Sequence, residues 1–100
     1  MEEIFAKLCA ADIQILPLTE IPNHFVFERR GFVCLVERRE SSFGAIGASG
    51  VLTPKGLAVL VWRGASPYFV AKGLEQAATP EQVDMLRAFS RDLEEALKQP

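Results

Sequence analysis

His24 is the only histidine in the chain, so one copy can assemble neither a histidine pair for proton transfer nor a multi-histidine metal site. Cys9 and Cys34 stand alone, with no second ligand at zinc spacing beside either. No metal and no cofactor are therefore expected. An enzyme would need His24, Glu28 as its orienting acid and an arginine to converge in one cleft. An ordinary histidine at a strand edge is the simpler reading.

The segment Gly44-Ala45-Ile46-Gly47-Ala48-Ser49-Gly50 resembles a phosphate cradle only in its glycines. A dinucleotide fingerprint follows a strand and opens a helix, whereas this run leads into Val51-Leu52-Thr53-Pro54. No P-loop pattern is present, and Ser41, Ser42 and Ser49 lack the surroundings of a nucleophile elbow. No catalytic residue is assigned.

Arg29-Arg30 and Arg38-Arg39, interleaved with Phe25, Phe27 and Phe32, suggest a stacking platform for nucleic acid. The two pairs nevertheless sit at opposite ends of one strand, roughly 20 Å apart at about 3.3 Å per residue. Glu28, Glu37 and Glu40 neutralise both. A solvated rim is expected, with no nucleic-acid partner. Trp62, Arg63 and Tyr68 point better to a binding surface, because aromatic residues and arginine carry most interface energy.

These residues must be positioned by a small body. One hundred residues make one domain, residues 1–100. Apolar residues form 49% and charged residues 24% of it, which is globular rather than disordered composition. A net charge of −2 offers polyanions no general attraction. No secretory pattern opens the chain and no apolar run approaches the roughly 20 residues of a membrane span. The expected compartment is the cytoplasm, where a disulfide between the two cysteines is not expected.

Residues 2–11 carry Ile4, Phe5, Leu8 and Cys9 at helical spacing, with Glu2 and Glu3 at the positive end of the dipole. Residues 12–18 alternate and stop at Pro17, as an edge strand or an extended connection would. Residues 25–38 and 50–63 each read as an apolar strand, a turn closed by glycine, and a second apolar run. Both turns, Glu28-Arg29-Arg30-Gly31 and Thr53-Pro54-Lys55-Gly56, fit a type I turn followed by a left-handed glycine in a G1 bulge. Residues 67–72 form a further strand and residues 73–78 a linker. Thr79-Pro80-Glu81-Gln82 then opens a second helix with a capping box, and Val83, Leu86, Phe89, Leu93 and Leu97 make its apolar stripe.

The fold class expected is α+β: an N-terminal helix, an antiparallel sheet of about five strands (two G1-bulge hairpins plus one strand), and a C-terminal helix packed on the sheet. Alternation puts Phe32, Cys34 and Val36 opposite in facing to Val33 and Leu35, and Leu57, Val59 and Val61 opposite to Ala58, Leu60 and Trp62. Both faces are apolar, so each needs a cover. Leaving Val33, Leu35, Leu60 and Trp62 in water would forgo roughly 1.5 to 3 kcal/mol for each large side chain.

Two short helices cover one face; sheet curvature, the 12–23 segment or a second copy covers the other. The function expected is that of a small non-enzymatic module acting through protein contacts as a homodimer, with Trp62, Arg63 and Tyr68 in the contact. The alternative is a small-molecule binding domain whose pocket is lined by Phe25, Phe27, Phe32 and Trp62 and closed by residues 44–50.

Overall fold

A computed structural model of the chain describes residues 2–16, 23–40, 43–54 and 56–98. Pro17, Pro22, Ser41, Ser42 and Lys55, on which parts of the sequence reading fell, lie outside them. The order is α1 (Glu2–Ala10), β1 (Gln14–Leu16), β2 (His24–Arg29), β3 (Phe32–Arg38), β4 (Phe43–Thr53), β5 (Gly56–Arg63), β6 (Ser66–Ala71), β7 (Leu74–Ala77) and α2 (Pro80–Leu97). All seven strands form one sheet in chain order, each antiparallel to the next. This is an α+β fold with a helix at each end of an antiparallel meander.

The sheet has seven strands, not about five. The two additions are short edge strands. β1 lies within the 12–18 stretch and pairs Ile15 with Phe27. β7 occupies what reads as a linker, because Leu74-Glu75-Gln76-Ala77 has little strand propensity of its own and is held in place by pairing with β6. β4 runs from Phe43 and takes in the glycine-rich segment, so that segment and residues 50–53 are one strand.

Glycines close the hairpins, though by different turns. Arg30 (φ 54°) and Gly31 (φ 88°) both lie in the left-handed region, and Arg29 faces Phe32 across them. That is a two-residue type I′ turn, not a type I turn with a G1 bulge. Its twist matches that of the flanking strands, which outweighs the reluctance of arginine to take positive φ. At the next hairpin Gly56 has φ 118°, and the Thr53 hydroxyl donates to the Gly56 carbonyl at 2.7 Å.

α2 starts as the sequence indicates. The Thr79 hydroxyl accepts from Gln82 N–H at 3.1 Å, the Gln82 side-chain carbonyl accepts from Thr79 N–H at 2.9 Å, and Pro80 is the first helical residue. Val83, Leu86, Phe89, Leu93 and Ala96 are buried. With Ile4 and Leu8 of α1, Leu86, Phe89, Leu93 and Ala96 cover one face of the sheet, packing on Phe27, Cys34, Val36, Ala58 and Phe69. Arg29 ties β2 to both helices: its guanidinium donates to Ala11 O at 3.2 Å and to Asp92 Oδ2 at 2.9 Å, and lies 5.1 Å from the centre of the Phe89 ring.

The opposite face is partly closed by bending of the sheet. Val26 and Val33 point away from the helices yet are 1% and 0% exposed. Two bulges in β4, between its pairings at Ser49 and Ile46 and between Ile46 and Phe43, curl the strand. Gly50 permits the tightest approach, since a Cβ there would stand 1.9 Å from the Ala58 carbonyl oxygen. Val33 and Leu35 are thereby brought toward Leu57 and Val59 around a gap too small for water.

Candidate functional site

The bend leaves part of the far face uncovered. Register places Leu52 opposite Leu57, Val59 opposite Val70, and Val61 opposite Tyr68. These six side chains therefore form one apolar stripe across β4, β5 and β6 on the side away from the helices. Leu52 is 44% and Val61 37% exposed. Arg63 and Glu75 form an ion pair at the rim, and the Arg63 guanidinium lies 5.3 Å from the Tyr68 ring centre. An arginine stacked on an aromatic ring beside an exposed apolar stripe has the makings of a contact surface.

Arg63 and Tyr68, two of the three contact residues expected from the sequence, thus meet on this face. Trp62 does not join them. Even-numbered residues of β5 point toward α2, and Trp62 lies at the margin of that side, 47% exposed, with the Arg87 guanidinium 5.9 Å from its ring centre. Leu60 also faces the helices and packs against the core. On the far face β5 presents Leu57 and Val59, both half-buried, and the exposed Val61, whereas Leu60 and Trp62 belong to the helix side.

The residues of the pocket reading are dispersed or filled in. Phe27 is fully buried, and its ring centre lies 6.4 Å from that of Phe25 and 5.8 Å from that of Phe43; Phe25 and Phe43 are 5.0 Å apart, edge to face. Phe32 packs against the core near the other end of the hairpin, and Trp62 is on a different strand pair. A groove of about 480 Å³ beside α2 is lined by Phe43, Gly44, Ala45, Ile46, Gly47, Ser90, Glu94, Leu97 and Lys98, none of them one of those four residues.

His24 and Glu28 lie four positions apart on β2, about 13 Å at roughly 3.3 Å per residue, and do not converge. Glu37 faces His24 across the ladder, while Glu28 accepts from the Gln14 amide at 2.9 Å. The two arginine pairs are answered locally. Arg29 is held by Asp92, Arg30 stands 3.8 Å from Asp12, Arg39 stands 3.7 Å from Glu37, and Arg38 covers the Phe25 ring at 4.6 Å. Cys9 is exposed and Cys34 buried, and both are free. Burial pushes the Cys34 thiol up to about 11, against the opposing effects of a hydrogen bond with Ser90 and of the Arg29 charge. Among the described residues no group of histidine, cysteine and carboxylate side chains could hold a metal ion, and no helix is long and apolar enough to cross a membrane.

The fold and face define the chain as an α+β meander with one half-open apolar face. Comparison with protein-family models, with curated proteins and with solved structures finds no match to it.

Proposed function

We propose that this protein is a small non-enzymatic module that works through protein contacts, and that its first partner is a second copy of itself seated on the stripe formed by Leu52, Leu57, Val59, Val61, Tyr68 and Val70. The observation that carries the reading is the exposure of Leu52 and Val61 within a continuous apolar row. Each large side chain withdrawn fully from water returns roughly 1.5 to 3 kcal/mol. Association costs about 4 to 15 kcal/mol in lost freedom. Several of these residues must therefore be covered together, which a flat isologous contact between two sheets accomplishes. Arg63, Glu75 and Tyr68 supply the polar rim, and Trp62 and Arg87 lie outside the contact.

The compartment proposed is the cytoplasm; two cysteines that stay unpaired are in keeping with a reducing environment. Sedimentation equilibrium of the purified chain and of Val61→Glu tests the assembly. Wild type is expected to show twice the chain mass at micromolar concentration and Val61→Glu the single mass with an unchanged circular dichroism spectrum. A wild-type protein that stays monomeric up to millimolar concentration refutes the reading.

A further inference from the structure

An inner strand of a meander is ordinarily paired on both sides, and β4 is not. It pairs with β3 from Phe43 to Val51, but with β5 only over residues 50–53, and past Val59 the fifth strand pairs with β6 alone. Among the described residues no strand pairs with the outer side of residues 43–49. Roughly every second backbone N–H and C=O there points into a fork between β4 and β5. The segment, Phe-Gly-Ala-Ile-Gly-Ala-Ser, contains none of the charges or prolines that usually protect an open edge. Ala45, Gly47 and Ala48 are exposed and too small to hinder an approaching chain.

A second observation coincides with the first. The groove of about 480 Å³ runs along this edge, with Phe43 to Gly47 on one wall and Ser90, Glu94 and Leu97 of α2, with Lys98 just past its end, on the other. Phe43, Ile46 and Leu97 give it apolar patches. The Lys98 ammonium is bonded to Glu95 at 2.9 Å and also feels the charge of Glu94, so two carboxylates share one cation there. The spare charge of the groove is negative.

We infer that this open edge binds an extended peptide segment of another protein, which adds to β4 as a further strand and sets a lysine or arginine against Glu94. Strand addition uses main-chain hydrogen bonds for affinity and the neighbouring pockets for selectivity. The fork closes where Gly50 pairs with Val59, a taper that favours one extended chain over the edge of a second folded copy. The two bulges bend β4, so the paired run is short, about four or five residues at roughly 3.3 Å each. The site is separate from the far-face stripe, and Val61→Glu leaves it intact.

The test selects from a displayed library of random heptapeptides on the purified full chain, then measures amide hydrogen exchange and affinity with the resynthesised winners. Expected are peptides without proline in the paired run, carrying a lysine or arginine at one recurrent position. They should slow exchange at residues 43–49, and Glu94→Lys, a change on an exposed helix position, should weaken them about fivefold or more. N-methylation of alternate peptide amides should abolish binding. No enrichment over a control surface, slowed exchange on β5 and β6 instead, or equal binding by the N-methylated peptides overturns the inference. So does slowed exchange at residues 43–49 on concentrating the protein alone, which assigns the edge to a second copy.

Discussion

Gly50→Ala probes how tightly the sheet folds back on its far side. A Cβ at position 50 would stand 1.9 Å from the Ala58 carbonyl oxygen, 2.8 Å from the Ala58 carbonyl carbon and 2.9 Å from the Val59 Cα. All three are backbone atoms of the paired strand, so no side-chain rotation relieves the overlap. Extra methylenes forced into packed interiors cost about 1 to 3 kcal/mol when side chains can give way. With backbone on the receiving side the cost belongs at or above the top of that range, about 3 kcal/mol, or roughly 12 to 24 °C in Tm for a domain of this size.

Gly47→Ala is the matched control. It lies in the same strand, but its Cβ would come no nearer than 3.7 Å, to the Leu35 carbonyl oxygen, which is ordinary contact. Its expected change is within about 0.5 kcal/mol of zero, shifted toward stabilisation by the smaller freedom of alanine in the unfolded chain. Thermal and urea unfolding followed by circular dichroism read both variants. A Gly50→Ala protein that melts with the wild type refutes the close approach of β4 to β5, and with it the account of how Val33 becomes buried.

Arg29→Met should cost about 1.5 to 3 kcal/mol in urea unfolding, because a guanidinium with only 17% of its side chain exposed donates to both Asp92 and Ala11 O. Asp92→Asn should cost less, since that carboxylate is 43% exposed and water can replace part of the pair. At pH 8 a thiol reagent should titrate Cys9 alone in the native protein and both cysteines in denaturant. Because the native Cys34 thiol is raised from 9.0 to about 11, the unfolded chain gives up that proton first as pH rises. The stabilising contribution of Cys34 is thus complete below pH 9 and lost between about 9 and 11, a slope that Cys34→Ala should remove from the unfolding curves.

Features legible in the sequence were those set by neighbours in the chain. The Thr79 to Gln82 capping box depends on four residues, and the glycines that end the strands depend on the φ they must take. The apolar character of both sheet faces also follows from alternation along single strands. What escaped depends on distant pairing. β7 has a polar, weakly alternating sequence and exists through β6, and the type I′ turn at Arg30 answers the twist of its strands rather than its own preference.

The placement of Trp62 was readable, since it shares parity with Ala58, and Ala58 is buried against the helices. Its size marks it as a contact residue in the sequence, while the stripe is built from the smaller odd-numbered residues beside it. The open edge of β4 had one trace in the sequence, the run of small uncharged residues between Phe43 and Val51. Their spacing cannot show on which side a strand will be missing.

Isotope-filtered NOE spectroscopy on a mixture of labelled and unlabelled chains tests most directly the proposal that two copies meet across the far face of the sheet. Methyl groups of Leu57, Val59, Val61 and Val70 in one copy should show contacts to the same residues and to the Tyr68 ring of the other. Intermolecular contacts elsewhere on the surface, or none from these methyl groups at a concentration where sedimentation gives twice the chain mass, would contradict it.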